Sequence, residues 1–320
     1  MARPGPLLRL VHSLERRRAG RAFCVDITVR RPAARGPATT IQVSRLVGHG
    51  PRAFVVGTGD RADVLVAGGK NIDDPLASQT SEGVLPRHLA LVVLPLATGP
   101  VVRVVSLHPE RGFAVLPLDE TPPSADAVER LPTSLGGAVV RGAGRLCFEG
   151  MLLDFVIDDG GPSEVLEVWS AGAQLAFHTP PHMRPVGDVL SSIGGPGGGG
   201  HAVPALVHVP LEIDSPLPGA LHLRARDGVM RVEVGRSDVE RGVLIGRSRR
   251  CVLGRGFDEN DGLSRVHALV LSFEEGVWAF DLASRYGLRD VSRPGRLLTS
   301  GRLDDGIGCL VYGAGYLTWE

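Results

Sequence analysis

The sequence predicts an all-β chain of two β-sandwiches in tandem, joined by a Gly/Pro-rich linker. Three observations predict it. Short β-branched or Leu-rich runs such as FCVDITVR, RAFVVG, LHLRAR, MRVEV and GVLIG recur between Gly, Pro, Asp and Asn punctuation, the pattern of strands and tight turns. A stretch with no hydrophobic period, SSIGGPGGGGHAVP over residues 191–204, divides the chain. Three motif pairs then recur on its two sides in the same order. RAFVVGTGDRADVLV (52–66) pairs with RGVLIGRSRRCVL (241–253), VVSLHPERGF (104–113) with AFDLASRYGL (279–288), and AVVRGAGRLCF (138–148) with CLVYGAGYLTW (309–319). A length of 320 residues fits two domains better than one core.

Taken in order, residues 1–19 place Leu7, Leu10 or Val11, and Leu14 at helical spacing without an apolar core region. They predict a short amphipathic helix and not a signal peptide. Residues 20–158 form the first sandwich. Its longest apolar run, LALVVLPLATGPVVRVVSL (89–107), is interrupted by Pro95, Gly99, Pro100 and Arg103, so it reads as two buried strands joined by a turn and not as a membrane helix. Residues 159–217 are linker and extra elements, within which SEVLEVWSAGAQLAF (163–177) reads equally as a strand pair or a helix. The glycine run of the linker lacks the Lys-Ser/Thr and the preceding strand of a phosphate loop. HTPPH (178–182) offers two histidines without a third ligand and reads as linker. Residues 218–320 form the second sandwich.

Formal charge is zero, with 35 basic and 35 acidic side chains, so no overall field draws the chain to nucleic acid or inserts it at an anionic membrane. An anion site must be local. All basic residues but Lys70 are arginine, which with 43 Gly and 24 Pro suggests a GC-rich bacterial coding genome. Cys24, Cys147, Cys251 and Cys309 are scattered, with neither CxxC spacing nor neighbouring histidines, so no disulfide framework, metal or cofactor is expected and a reducing cytoplasm is the expected home.

In the second half, Gly246-Arg247 ends a strand, Ser264-Arg265-Val266-His267 enters one, and Asp281-Leu282-Ala283-Ser284-Arg285-Tyr286-Gly287 follows an apolar strand. Over roughly residues 218–320 this order resembles the forkhead-associated (FHA) family. The resemblance implies a β-sandwich that binds phosphothreonine peptides through loops at one end. The family pattern of Gly-Arg, Ser-x-x-His and Asn-Gly is kept except at Tyr286, which stands where the family has Asn. The residue types suit the task independently. A phosphothreonine carries roughly −1.5 to −2 charges and three acceptor oxygens, which call for a planar bidentate donor and neutral donors at fixed positions. Arg247 would supply the fork and Ser264 a hydroxyl. Arg265 and Arg285 lie at flanking loop positions from which, by the resemblance, family members also reach the phosphate. The resemblance further makes His267 structural, holding the Ser264 loop, and Gly246 and Gly287 allow the loops to turn tightly. In the family the Asn contacts the peptide main chain, so Tyr286 implies altered selectivity or lost binding.

The first half has lost more. Its Gly-Arg position reads Gly57-Thr58, its Ser position Pro86, and its Asn-Gly position Arg111-Gly112. His88 or Leu89 fills the structural His position, according to a one-residue gap, and Arg87 survives as a loop cation. This half is expected to keep the fold without phosphate binding.

Two readings of function follow. One is a phosphothreonine-peptide adaptor in Ser/Thr kinase signalling, whose partner is a phosphothreonine-containing protein, such as a kinase or its substrate. The other is a phosphate-independent scaffold in a bacterial assembly such as a secretion system. An enzyme is not expected: Ser264, His267 and Asp281 include the residue types of a hydrolase triad, but no GxSxG elbow or oxyanion loop accompanies them. RSRR (247–250) without interleaved aromatics does not make a nucleic-acid site.

Overall fold

The computed structural model describes residues 22–33, 35–66, 83–108, 111–119, 121–158, 161–170, 219–225, 228–248, 251, 262–273, 276–291, 293, 295–303, 309–312 and 315–319. The expected N-terminal helix and the 191–204 linker lie outside these residues. The chain divides into two units, Met1–Ala171 and Gly172–Glu320, each built of β-strands.

In the first unit the strands are β1 (Ala22–Arg31), β2 (Thr39–His49), β3 (Arg52–Gly57), β4 (Val64–Leu65), β5 (Leu89–Leu96), β6 (Gly99–Ser106) and β7 (Ala114–Leu116). Helix α1 (Ala125–Arg130) follows, then β8 (Leu135–Arg141), β9 (Ala143–Phe148), β10 (Met151–Ile157) and β11 (Glu164–Ser170). They form two sheets, β2-β1-β10-β9-β7 and β11-β8-β6-β5-β3-β4. Alternation sends Val25, Ile27 and Val29 of β1 and Phe54 and Val56 of β3 to one shared core with Phe113, Phe148 and Phe155. The 89–107 run is the hairpin β5–β6, paired from Leu89↔Ser106 to Leu96↔Gly99, because Gly99, at φ +113, takes a turn conformation that side-chain-bearing residues avoid. The choice left open at 163–177 falls to strand over Glu164–Ser170. β11 pairs with β8, so this sheet takes in residues beyond the 20–158 span.

Outside the core, α1 sets Val128 against Ala114, Cys147 and Leu152 on the outer side of the first sheet. Beside it, Arg145 is nearly buried and its Nε and Nη2 donate to Asp154 at 2.8 and 3.2 Å, while Arg30 donates to the same carboxylate. The pairing sets two cations, which alternation places off the core, on one carboxylate.

The second unit contains β12 (Gly219–Ala225), β13 (Gly228–Val234), helix α2 (Arg236–Arg241), β14 (Val243–Ile245), β15 (Ala268–Phe273), β16 (Gly276–Asp281) and β17 (Leu288–Asp290). After these come β18 (Leu297–Leu298), β19 (Ser300–Arg302), β20 (Cys309–Tyr312) and β21 (Gly315–Trp319). Its sheets run β13-β12-β21-β20-β17-β18 and β14-β15-β16-β19. Leu221, Leu223, Ile245, Val270, Ala279 and Leu317 meet in its core.

Strand order corrects one of the three sequence matches. β2-β1-β10-β9-β7 in the first unit corresponds to β13-β12-β21-β20-β17 in the second, and β8-β6-β5-β3 to β19-β16-β15-β14. RGAG, over Arg141–Gly144, carries the chain from β8 in one sheet to β9 in the other, whereas YGAG joins β20 and β21, which pair within one sheet. The third match therefore sets β8–β9 against β20–β21 one strand out of step. Two apolar strands flanking a Gly-x-Gly turn look alike in sequence whether the turn closes a hairpin or crosses between sheets.

Candidate functional site

Three loop segments meet at one end of the second unit: the start of the β14–β15 connection, its end, and the connection between β16 and β17. Main-chain hydrogen bonds tie the first two. Arg247 N–H donates to the Ser264 carbonyl (3.1 Å), Ser248 N–H to that of Arg265 (2.8 Å), and His267 N–H to that of Ile245 (2.7 Å). The strands approach so closely at Gly246 that a Cβ there would lie 2.8 Å from the Ser264 oxygen and closer still to that of Arg265. Glycine is required there by space. The third segment is tied in by Leu282 N–H to the His267 carbonyl (3.0 Å) and Arg285 N–H to Ser264 Oγ (2.9 Å).

His267 sits fully buried beneath this junction. Its Nδ1 accepts from Ser264 N–H at 3.1 Å, while Nε2 lies 3.3 Å from the Gly287 carbonyl and 3.2 Å from Ser284 Oγ. With Nδ1 accepting, the neutral ring carries its proton on Nε2, facing those oxygens. The imidazole thus latches the Ser264 connection to the Gly287 turn. Gly287, at φ +69, uses the left-handed backbone that the turn demands.

One residue of the latch was missed in the sequence. Ser284 is buried, its Oγ donates to Asp281 Oδ1 at 2.6 Å and accepts from Gly287 N–H at 2.9 Å, and its N–H reaches Asp281 Oδ2 at 3.3 Å. The Asp-x-x-Ser spacing is the signal that could have found it, since an Asp side chain takes up N–H groups two and three residues on. Cys251 is a second: its buried thiol donates to the Arg265 carbonyl at 3.3 Å. As for the triad considered above, Ser264 meets His267 through its main-chain N–H and not its hydroxyl. The hydroxyl near the imidazole is that of Ser284, 5% exposed, and the Asp281 carboxylate binds that serine. Such a trio braces loops.

Over the latch, Arg247 Nε donates to the Leu263 carbonyl at 2.6 Å, which fixes the guanidinium beside Ser264. Arg265, Arg285 and Tyr286 are exposed. The Arg285 guanidinium carbon lies 5.3 Å from the centre of the Tyr286 ring, a cation–π pair. All eight residues singled out from the sequence, Gly246, Arg247, Ser264, Arg265, His267, Arg285, Tyr286 and Gly287, lie in these three segments.

The first unit repeats the backbone frame bond for bond. Thr58 N–H donates to the Leu85 carbonyl (3.1 Å), Gly59 N–H to Pro86 (3.1 Å), His88 N–H to Val56 (2.8 Å) and Leu107 N–H to His88 (2.9 Å). A Cβ on Gly57 would collide with the Leu85 and Pro86 carbonyls as one on Gly246 would with their counterparts. Leu85 N–H donates to His88 Nδ1 at 3.3 Å. The frame settles the one-residue gap: His88 matches His267, Leu85 and not Pro86 matches Ser264, Pro86 matches Arg265, and Arg87 falls opposite the buried Val266. The expected Pro86-for-Ser match was one residue late. Counted on from Leu107, Arg111 stands opposite Tyr286. Its Nη1 donates to the Gly83 carbonyl at 2.6 Å and lies 3.0 Å from the Glu149 carboxylate, so this cation is already engaged by an internal anion.

No family model matches the chain, and no curated protein does. Solved structures do resemble it. An FHA domain analysed for phosphothreonine-dependent interactions is 19% identical over 32% of this chain and 95% of its own, with a TM-score of 0.24. The Slr1951 protein from Synechocystis sp. is 20% identical over 32% and 96% (TM-score 0.26). The FHA-1 domain of Mycobacterium tuberculosis Rv1747 is 20% identical over 32% and 96% (TM-score 0.25).

Proposed function

We propose that the second unit is a receptor for phosphothreonine peptides and that the chain is an adaptor, recruiting a phosphorylated protein in Ser/Thr kinase signalling in the cytoplasm. The observation that carries this reading is the junction itself: Arg247, Ser264, Arg265 and Arg285 belong to three loop segments that main-chain hydrogen bonds and His267 hold together. A phosphate there would meet the planar fork of Arg247 and the Ser264 hydroxyl, with Arg265 and Arg285 adding charge from the flanks. Preorganisation matters because each loop ordered before binding is a cost removed from binding. Tyr286 with Arg285 across its ring then forms one wall for the residues flanking the phosphothreonine. The working modules are 20–158, extended by β11, and 218–320, with the rest of 159–217 between them. The first is a copy that keeps the frame and lacks the phosphate donors.

A phosphate-independent scaffold is the second reading, and the hydrogen bond from Arg247 Nε to Leu263 together with Tyr286 at the Asn position favours it. One experiment separates them. The full chain is titrated with a phosphothreonine peptide library, its unphosphorylated twin, and the same library against Arg247→Ala. Micromolar binding that needs the phosphate and falls at least tenfold in Arg247→Ala supports the receptor. Equal binding of both libraries, or none, leaves the scaffold.

A further inference from the structure

The chain has no net charge, yet beside the junction the charge is one-sided. Residues 285–297, RYGLRDVSRPGRL, hold Arg285, Arg289, Arg293 and Arg296 against the single acid Asp290. Three main-chain bonds close the turn between β17 and β18: Arg293 N–H donates to the Asp290 carbonyl (3.2 Å), Arg296 N–H to that of Arg293 (2.8 Å) and Asp290 N–H to that of Arg296 (3.2 Å). Arg293 and Arg296 are exposed, and neither guanidinium has an ion-pair partner among the described residues. The first unit has the opposite sign at the matching place. After β7, the counterpart of β17, residues 117–131 set Asp119, Glu120, Asp126 and Glu129 against Arg130, and Asp119, Asp126 and Glu129 are exposed. The unit with Thr58 and Leu85 in place of Arg247 and Ser264 thus lacks the basic turn as well.

We propose that the β17–β18 turn is a second anion subsite, with Arg293 and Arg296 as its donors, and that the phosphothreonine peptide taken by the second unit is anionic on one flank. The anion, a carboxylate or a second phosphate, lies about three to five residues from the phosphothreonine. This rests on the reading of Arg247 and Ser264 as the phosphate site. The spacing comes from the backbone. Gly287 of the junction is three residues from Asp290, whose N–H is bonded to Arg296, and three strand steps cover about 10 Å. An extended peptide crosses that distance in about as many residues. The ground between is apolar. Leu297, 62% exposed, packs on Gly287 so closely that a Cβ there would lie 2.8 Å from its Cδ2, and Tyr286, 41% exposed, precedes that glycine. Intervening peptide residues therefore cross a ledge with no anion to repel them. Because peptide bonds of its own close the turn, the two forks are held near each other at little ordering cost, and a guanidinium takes a carboxylate or a phosphate with the same pair of donors.

The test is fluorescence anisotropy on the full chain with phosphothreonine peptides whose flank, on either side, is neutral, Asp/Glu-bearing, phosphoserine-bearing or Lys-bearing. Acidic and phosphoserine peptides charged on one side should bind about three- to tenfold tighter than the neutral one at low salt. A larger gain for phosphoserine marks a second phosphate as the natural anion, and an equal gain marks a carboxylate. The advantage should vanish at 1 M salt, where the screening length falls to about 3 Å. In Arg293→Glu/Arg296→Glu the order should reverse, with the Lys-bearing peptide bound best. Equal binding of neutral and acidic phosphopeptides by the unaltered chain would overturn the subsite and leave the receptor standing. An acidic preference that survives in the double variant would overturn it too. Duplex DNA binding lost in that variant, with no preference among peptides, would mark a nucleic-acid contact instead. Absence of any phosphate-dependent binding would overturn both receptor and subsite.

Discussion

Removing the His267 ring tests the latch at its centre. In His267→Ala the Ser264 N–H loses its acceptor and stays beneath the junction, costing about 1 kcal/mol, and the Gly287 carbonyl loses a donor, about 1 more. Ser284 Oγ keeps its 2.6 Å bond to Asp281, so its loss is small. The void left by a fully buried ring adds about 1–2 kcal/mol after partial collapse. The total is about 3–4 kcal/mol. The assay is urea unfolding followed by tryptophan fluorescence in a Trp169→Phe background, which leaves Trp278 and Trp319, both in the second unit, as reporters. A free-energy change below about 1 kcal/mol would refute the reasoning, since no arrangement in which the ring joins both connections survives its loss so cheaply.

Further predictions concern the first unit. Asp154→Ala strips Arg145 of its carboxylate in a nearly buried site and should destabilise this unit by about 3–5 kcal/mol, read by denaturant unfolding on Trp169; a neutral effect would mean that the cluster is solvated. Burial raises the Asp63 carboxyl above its ordinary value, against the opposing bond from Val55 N–H. A raised acid value means that the folded state holds the proton longer, so this contribution is complete below the unfolded value and is lost as pH rises through the folded one. Asp63→Asn, which keeps an acceptor for Val55, should therefore flatten the stability-pH curve between those two values, and an unchanged curve would count against the desolvation argument. Burial also pushes the Cys147 thiol up to about 11, so native protein at pH 8 should leave Cys147 unalkylated in mass spectrometry while the denatured chain is labelled.

Strand type and the site's three loop segments were legible because each rests on local chemistry: alternation for the core faces of β1 and β3, and the Gly-Arg, Ser-x-x-His and Tyr-Gly steps for the junction. What escaped depends on partners distant in sequence. Half-buried Asp154 faces Arg145 across the β9–β10 hairpin, but nothing local announces that Arg30, on another strand, joins them. β11 is exposed along most of its length apart from Trp169, so its apolar pattern carries no clean period. The Leu85 and Pro86 positions differ by one residue, a shift that only the Thr58 N–H bond to the Leu85 carbonyl fixes. The Gly-x-Gly turn misled for a related reason: local sequence specifies a tight reversal, and the sheet joined next is decided elsewhere.

The repeated frame divides the labour between backbone and side chain. In both units the connections are bound by peptide groups, a histidine and a glycine that leaves no room for a Cβ, while positions 58 and 247, 85 and 264, or 111 and 286 bear whatever faces outward. Drift at the outward positions leaves the frame's peptide bonds standing, so a lineage can lose, change or regain a ligand without refolding. Residues 57, 88, 246 and 267 carry the inheritance, and the others are its vocabulary.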